Sequence, residues 1–391
     1  MLRKLLDHNP SIQRLVDEGY QVETRGGYLL VHDVPFVTSK REVERAIIAD
    51  ELSGESDSKP RNHTMWFTGS DPCDANGSPL SQLVRPKSKQ LIDGVLAKHQ
   101  FSQKPTNGPK NYGNHYRKVV TYIGMLEGHA QAIDPSATAR TFYPLEDDDQ
   151  SSPFKYLDTA STRAGIVLAM SKLRVERVAI VGLGGTGAYI LDQLAKLPIQ
   201  EIHLFDPDTF NQHNAFRAPG AASLEQLKEK PKKVHYLQKL YEPMRTGILA
   251  HPVAIDETNA QIVSQMDFVF MAFDGGPAKA AMISHLTTGN IPFIDVGMGL
   301  QEKDGQLIGQ VRMSSITDAN KDKAVEQSFI PCSTPEENEY DFNVQVGDMN
   351  ALNALFAVIR FKKIFGFYKD FENSHYYVYS IFDNSIVSES T

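Results

Sequence analysis

The residues with the clearest chemical pattern lie in one stretch, RVAIVGLGGTGAYILDQLAKLPIQEIHLFDPDTFNQHNAFR, from Arg177 to Arg217. The apolar, β-branched run Val178–Val181 predicts a strand buried on both faces. A turn rich in small residues follows it, with the glycines Gly182, Gly184, Gly185 and Gly187. Such a turn lets a phosphate approach backbone N–H groups at the start of a helix, whose dipole favours negative charge. The stretch therefore predicts a nucleotide site.

Polar residues that follow the next predicted strand indicate which nucleotide the site would bind. Asp206 follows the predicted strand Ile202–Phe205 and has the place of the acidic residue that binds a ribose hydroxyl in dinucleotide folds. That role fits NAD and ATP equally. Asp208, Asn214 and Arg217 follow within one short segment. A reaction that separates charge at a triphosphate needs an arginine and an amide there, whereas a dehydrogenase does not. The cluster favours ATP.

At these residues the chain resembles the E1-like activating-enzyme family, which includes the thiamine and molybdopterin activators ThiF and MoeB and the ubiquitin-activating E1 enzymes. The family pattern is a doubled glycine turn, a strand ending in Asp-x-Asp, and then Asn-x-x-Arg. Here it reads GLGGTG, Asp206-Pro207-Asp208 and Asn214-Ala215-Phe216-Arg217. The resemblance covers roughly Ser161 to Phe367. It implies an ATP-dependent adenylyltransferase that uses ATP and Mg2+.

The resemblance also implies roles for residues further along. The family places a lysine after a proline at a helix start, which is Lys232 or Lys233 here, and Lys233 is favoured because Val234 begins the apolar helix face. The family's magnesium-associated aspartate ends a later buried strand, and Asp274 has that position. Asp206 would then hold the ribose, Asp274 the magnesium, and three residues the phosphates: Asn214, Arg217 and Lys233.

The cysteines of the chain are candidates for a covalent step after adenylation. Simpler family members carry paired Cys-x-x-Cys motifs for zinc, which this chain lacks because Cys332 is the only cysteine of the second half. Ubiquitin-type members carry a catalytic cysteine beside proline and threonine, and the segment Phe329–Thr334, FIPCST, resembles that arrangement. We expect Cys332 to accept an acyl group as a thioester, unless it is a lone buried cysteine or the remnant of a zinc site.

Two observations bear on that expectation. The acidic residues Glu336, Glu337 and Glu339 would raise the pKa of the Cys332 thiol and so lower its thiolate fraction. Cys73 is a second candidate acyl carrier, as in E2 enzymes, but the residues around it do not match an E2 core.

Assembly and partners follow from the same resemblance. Family members complete each ATP site with an arginine from the N-terminal helix of a neighbouring protomer, and Arg163 has that place, which implies a homodimer. The implied protein partner is a ubiquitin-like or sulfur-carrier β-grasp protein, with an E2-like protein as a further candidate.

Composition narrows the class of protein. A net charge of -8 and the lack of an extended basic stripe argue against nucleic acid as the main partner. The charged opening Met1–Asp17 predicts no signal peptide, and no apolar run has membrane-spanning length. Two cysteines cannot form a disulfide framework. These features predict a cytoplasmic protein that does not interact with membranes.

The order of predicted elements defines the fold class. Prolines, serines and four consecutive acids within Pro144–Phe154 indicate a linker, placed at 146–155. It separates residues 1–145, an α+β accessory domain with partner recognition as its expected role, from residues 156–391, which the resemblance implies are the adenylation domain. In the second part a helix over 156–173 precedes alternating strands and helices, which is typical of a doubly wound, mostly parallel Rossmann-like α/β sheet. A closing hairpin is expected around Asp383–Asn384.

Three other functions share part of the pattern. A sulfur-carrier activator would adenylate its partner without using Cys332. A nicotinamide- or flavin-dependent oxidoreductase would share the glycine turn but leaves Asn214 and Arg217 unexplained. A non-catalytic scaffold that binds a ubiquitin-like protein would tolerate loss of the charged residues, all of which are present.

Overall fold

The computed structural model describes residues 6, 8–52, 54, 59–105, 111–147, 149–321, 330–332 and 344–390. The chain forms two compact units. The N-terminal unit comprises Met1–Ser151 with Lys155–Gly165, and the C-terminal unit comprises Ser152–Phe154 with Ile166–Thr391.

The N-terminal unit is built on an antiparallel sheet with helices beside it. Its strands, in sheet order β1-β2-β3-β4-β6-β5, are β1 Val22–Arg25, β2 Tyr28–Val37, β3 Val43–Glu51, β4 Thr64–Phe67, β5 Val84–Ile92 and β6 Val95–Ser102. Its helices are α1 Pro10–Asp17, α2 His115–Gln131 and α3 Thr159–Arg163. This arrangement confirms a separate N-terminal α+β domain.

One face of that sheet carries the core of the N-terminal unit. Phe36 of β2, Phe67 of β4 and Phe101 of β6 pack ring against ring, and Phe101 stacks on Tyr122 of α2. All four side chains are buried. Removal of this aromatic surface from water contributes to the stability of the unit.

The C-terminal unit is a mixed eight-stranded sheet in the order β14-β13-β12-β11-β10-β7-β8-β9. The strands are β7 Arg177–Val181, β8 Glu201–Phe205, β9 Ile248–His251, β10 Phe268–Met271, β11 Phe293–Lys303, β12 Gln306–Ile316, β13 Ser374–Ser380 and β14 Ser385–Ser390. Neighbours from β9 to β11 pair in parallel, whereas β12, β13 and β14 add antiparallel strands. The mostly parallel sheet and the closing hairpin are both confirmed.

Helices cover both faces of this sheet. They are α4 Val167–Ser171, α5 Gly185–Leu194, α6 Gln212–Ala215, α7 Leu224–Lys228, α8 Lys233–Tyr241, a 3-10 helix at Ala260–Gln265, α9 Pro277–Thr288 and α10 Gly347–Ile364. Val178 and Ile180 pack with α5, α8 and α10 on one face, and Ala179 and Val181 pack with α9 on the other. Successive strand residues point to opposite faces, so the continuous apolar run of β7 is explained by burial on both sides.

The region before β7 differs from the sequence prediction. In place of one helix over 156–173 there are two short ones, α3 and α4, interrupted where Gly165 has a φ of +68°. Residues 156–165, expected in the second domain, lie with the N-terminal unit. There Leu157 joins the core and Thr162 donates a 2.9 Å hydrogen bond to Asp17.

Candidate active site at the carboxyl ends of the parallel strands

The glycine turn between β7 and α5 is shaped by two close backbone approaches. Gly182 has a φ of +87°, and a Cβ there would lie 2.4 Å from the carbonyl oxygen of Ala272. A Cβ on Gly187 would lie 1.9 Å from the carbonyl oxygen of Gly182. No side chain larger than hydrogen fits at either position, so these glycines allow β7, β10 and α5 to pack closely.

Gly184 and Gly185 have different surroundings. Gly184 is the N-cap of α5, and nothing lies within 4 Å of where its Cβ would be. Gly185 faces Asn350 of α10, whose side chain would clash with a Cβ and accepts a 2.9 Å hydrogen bond from Thr186. The space above Gly184 thus opens at the positive end of the α5 dipole, which is a suitable place for a phosphate.

Asp206 ties the end of β8 to the glycine turn. Its side chain is 6% exposed and accepts hydrogen bonds from the backbone N–H of Leu183 at 2.7 Å and of Asp208 at 2.9 Å. A carboxylate has about four acceptor sites, so some remain for a ligand. The contact fixes Asp206 beside the place where a phosphate would enter.

Lys233 faces the two carboxylates of the Asp-x-Asp segment. Its Nζ lies 2.7 Å from Asp208 Oδ2 and 3.4 Å from Asp206 Oδ2, and the residue is buried. Helix α8 begins at Lys233, as the sequence predicted, and Lys232 instead donates from an exposed side chain to the carbonyl of Pro207 at 2.6 Å. Of the two candidate lysines, the structure places Lys233 against the acidic pair.

Asn214 and Arg217 complete the polar group. Asn214 is buried in α6 and its Oδ1 accepts a 2.9 Å hydrogen bond from the backbone N–H of Asn211. Arg217 is partly buried, and its Nε is inaccessible and has no hydrogen-bond partner among the described residues. Burial lowers the pKa of the Arg217 guanidinium, since it disfavours the charged form. An unpaired buried N–H costs free energy, which an anionic ligand could recover.

These residues surround an open pocket of about 480 Å³. It is lined by Pro207, Asp208, Thr209, Asn211, His213, Asn214, Arg217, Lys232 and Lys233. Three cationic side chains face it, Arg217, Lys232 and Lys233, against one carboxylate, Asp208. The excess of positive charge suits a polyanion such as a triphosphate.

A second, smaller crevice of about 70 Å³ contains Asp274. Its lining comes from the glycine turn, the β10 end, β11 and α10: Gly184, Gly185, Thr186, Ala272, Phe273, Asp274, Val296, Gly297, Met298, Gln345, Asn350 and Asn353. Asp274 is exposed at the carboxyl end of β10. Within the described ranges no group of three or more His, Cys, Asp or Glu side chains could hold a metal by itself. A single carboxylate is nevertheless compatible with Mg2+, which binds through one or two carboxylates together with substrate phosphates and water.

A buried ion cluster beside this crevice was not anticipated from the sequence. Asp295 of β11 is fully buried and pairs with Lys279 of α9 and Arg312 of β12, each at 2.6 Å. Arg312 crosses above Gly297, where a Cβ would lie 2.8 Å from its Nη2. One carboxylate between two cations leaves a net positive charge next to the site.

The two cysteines have contrasting environments. Cys332 is exposed, and the pKa of its thiol is raised chiefly by partial burial, with Asp295 adding to the rise while Lys279 and Arg312 oppose it. Cys73 is 1% exposed, and the pKa of its thiol is raised by burial and by Asp71 and Asp74. Glu336, Glu337 and Glu339 lie outside the described residues. Burial makes Cys73 the poorer candidate for an acyl carrier.

Arg163 is exposed at the end of α3, in the N-terminal unit. Its expected role in a neighbouring protomer's site stays a prediction.

A comparison with known protein families assigns most of the C-terminal unit. The sequence model of the ThiF family matches residues 160–381, which is more than half of the chain. The chain belongs to the ThiF family. This confirms the resemblance that was based on the glycine turn, Asp-x-Asp and Asn-x-x-Arg. Residues 10–159 match a separate family described as a domain of unknown function (DUF6791). The division between the two matches lies close to α3.

Similar proteins cover only part of this ThiF-family chain. A tRNA threonylcarbamoyladenosine dehydratase from Haemophilus influenzae is 26% identical over 130 residues, which is 33% of this chain and 50% of that protein. Ubiquitin-like modifier-activating enzyme 5 from Culex quinquefasciatus is 32% identical over 90 residues, 22% of each chain. The chain thus spans half or less of these relatives. The crystal structure of E. coli MccB with ATP aligns at 19% identity and a TM-score of 0.43, over 59% of this chain and 68% of that one.

Sequence reasoning missed the residues that α10 and β12 bring to the site. Asn350 and Asn353 lie on the buried face of α10. Two polar residues on an otherwise apolar helix face are a pattern from which a site could have been predicted. Arg312 gave no signal of its own, because its pairing with Asp295 depends on the register between β11 and β12.

Proposed function

We propose that this ThiF-family protein is an ATP-dependent adenylyltransferase that activates the C-terminal carboxylate of a ubiquitin-like protein. The carboxylate oxygen attacks the α-phosphorus of ATP, the bond to the β-phosphate oxygen breaks, and pyrophosphate leaves. The products are an acyl adenylate and pyrophosphate. No general base is required, since a carboxylate is already ionised at neutral pH.

One observation carries the proposal. Asn214, Arg217 and Lys233 line one pocket, and Lys233 also contacts Asp206, which follows β8 and accepts a hydrogen bond from Leu183 in the glycine turn. Nucleotide sites of open α/β sheets form at the carboxyl ends of the strands. In this scheme Asp206 binds the ribose, and Asn214, Arg217 and Lys233 bind the phosphates. Fixed cations in the pocket stabilise the charge that develops as pyrophosphate leaves.

Mg2+ would be held by Asp274 together with the phosphates. When bound, the metal offsets the negative charge of the triphosphate. Asp274 and the glycine turn line the same crevice, which supports this role.

The test is ATP–pyrophosphate exchange that depends on an added carboxylate substrate. Exchange stimulated by a β-grasp protein with a free C-terminus supports the proposal, and tight NAD binding without exchange contradicts it. A relative is named as a tRNA-modifying dehydratase, so a tRNA substrate is the matched control. If tRNA alone stimulates exchange, the activated carboxylate belongs to a nucleoside and not to a ubiquitin-like protein.

A thioester step at Cys332 is the finer part of the proposal. The Cys332 thiolate would attack the acyl adenylate, the acyl–phosphate bond would break, and AMP would leave. The exposure of Cys332 supports thioester formation. The raised pKa of its thiol lowers the thiolate fraction and counts against a fast reaction. An enzyme that stops at the adenylate is the sulfur-carrier alternative.

A homodimer with Arg163 shared between protomers is also part of the proposal, as is a role for the N-terminal unit in partner recognition. In the described part of the chain no helix is long and apolar enough to cross a membrane.

A further inference from the structure

His213 faces the open pocket of about 480 Å³ and has no part in the adenylation scheme. Its side chain is exposed and belongs to the pocket lining together with the cations Arg217, Lys232 and Lys233. Among the described residues His213 makes no side-chain hydrogen bond and no ion pair. An imidazole that lines a pocket without a protein partner is available to a ligand.

The local fold places His213 and Arg217 on the same side of the chain. Helix α6 ends at Ala215, but its turn continues because Phe216 keeps helical dihedral angles and Arg217 N–H donates to the Asn214 carbonyl at 3.1 Å. Residues four apart in a helical turn are neighbours on one face. The imidazole therefore stands next to the guanidinium on the pocket wall, and both side chains line the pocket.

The charged groups around His213 come from three segments of the chain. The turn after α6 supplies Arg217, the segment after β8 supplies Asp208, and the start of α8 supplies Lys232 and Lys233. Asp208 already pairs with Lys233 at 2.7 Å. The lining thus has an excess of positive charge before His213 is counted, and the ligand that balances it is an anion with several charges.

We propose that His213 is an ATP-binding residue whose imidazolium form donates an N–H to an oxygen of the terminal phosphates. This inference rests on the proposed adenylation, in which Asp206 holds the ribose. Asp206 does not line the pocket, but Lys233 contacts it at 3.4 Å and does line the pocket. ATP with its ribose at Asp206 therefore extends its phosphates past Lys233 towards His213.

Protonation of His213 gives ATP affinity a pH dependence with a definite sign. A nearby triphosphate favours the charged form of an imidazole, and histidine changes its charge near neutral pH. ATP binding then takes up a proton at His213. The contribution of His213 to affinity is present at pH 6 and is lost as the pH rises to 8.5.

The test is calorimetric titration of the full chain with ATP, without a carboxylate substrate. His213→Gln keeps an N–H donor but cannot become charged, whereas His213→Lys keeps a permanent positive charge. His235→Gln is the matched control, because His235 is exposed on α8 and does not line the pocket. Melting temperatures check that each variant retains the fold. Phosphate groups of ATP also titrate in this range, so variants are compared with the wild type at the same pH.

We expect the wild type and His235→Gln to bind ATP roughly tenfold more tightly than His213→Gln at pH 6, and to differ from it by less than about threefold at pH 8.5. His213→Lys should bind more tightly than the wild type at pH 8.5. Titrations in buffers of different ionisation enthalpy should show fewer protons taken up by His213→Gln than by the wild type. AMP, which lacks the terminal phosphates, should bind equally to both.

Other outcomes overturn the proposal. A ratio of wild-type to His213→Gln affinity that does not change with pH contradicts it, as does an equal loss of AMP binding or an equal effect in His235→Gln. Should His213→Gln fail to fold, ATP affinity of His213→Lys no higher than that of the wild type at pH 8.5 overturns it. In each of these cases ATP still binds and adenylation stands. Absence of ATP binding to the wild type at every pH would contradict adenylation itself, and this inference with it.

Discussion

The ammonium of Lys233 lies 2.7 Å from the carboxylate of Asp208, and both residues line the open pocket. Asp208 is mostly exposed whereas Lys233 is buried, so the lysine can exchange this partner for a phosphate without leaving its place. The pair links the strand-end carboxylates to the helix that follows Pro231.

Lys233→Met should lower ATP–pyrophosphate exchange by about 10²- to 10³-fold, the loss typical of removing one charge-stabilising donor. Lys239→Met is the control, because Lys239 is exposed on the same helix and does not line the pocket. We expect this control to retain exchange within about threefold. Equal losses in both variants would contradict the assignment of Lys233.

Arg217→Ala should cost about 2–4 kcal/mol in transition-state stabilisation, measured as the change in kcat/KM for exchange. Arg217 makes no side-chain hydrogen bond or ion pair among the described residues, so its removal orphans no partner and the melting temperature should hardly change. Mixing Arg217→Ala with Arg163→Ala subunits should restore part of the activity if sites are shared. Absence of rescue, in subunits shown to exchange, would argue against a shared site.

Asp274→Asn should leave the fold intact, because the side chain is exposed, and should raise the Mg2+ concentration needed for exchange. The expected change is at least tenfold, and saturating metal should recover part of the rate. Exchange with an unchanged metal requirement would remove Asp274 from the site.

Substitutions at two glycines of the turn should distinguish an effect on folding stability from an effect on ATP binding. Gly187→Ala places a methyl group 1.9 Å from the Gly182 carbonyl oxygen and should destabilise the unit by roughly 3 kcal/mol or more. Gly184→Ala meets nothing within 4 Å and should fold normally, yet weaken ATP binding by intruding on the phosphate position. Denaturant unfolding and nucleotide titration measure the two effects. Normal ATP affinity in Gly184→Ala would contradict phosphate binding at this helix start.

The sequence predicted the β7–α5–β8 part of the fold well because local rules determine it. A β-branched run, a glycine turn that needs a positive φ at Gly182, and an aspartate at the end of the next strand all act within one β–α–β unit. The cluster of Asp295 with Lys279 and Arg312 could not be predicted, since residues far apart in the chain meet only through strand register. The break at Gly165 was missed because helical periodicity continues across it.

A thioester on Cys332 is the last prediction. With ATP, Mg2+ and an activated partner, a product sensitive to thiol reductant should form on the wild type and be absent from Cys332→Ala, while pyrophosphate exchange continues. Because the pKa of the thiol is raised, the thiolate fraction is small near neutral pH and should increase about tenfold for each pH unit below that pKa. Alkylation of Cys332 by iodoacetamide should therefore accelerate from pH 7 to pH 9 with nearly that slope. Cys73→Ala is the matched control and should leave the thioester unaffected, since Cys73 is buried. A reductant-sensitive product that needs Cys73 would assign the acyl carrier to the N-terminal unit, and one that forms with neither cysteine would leave the adenylate as the end product.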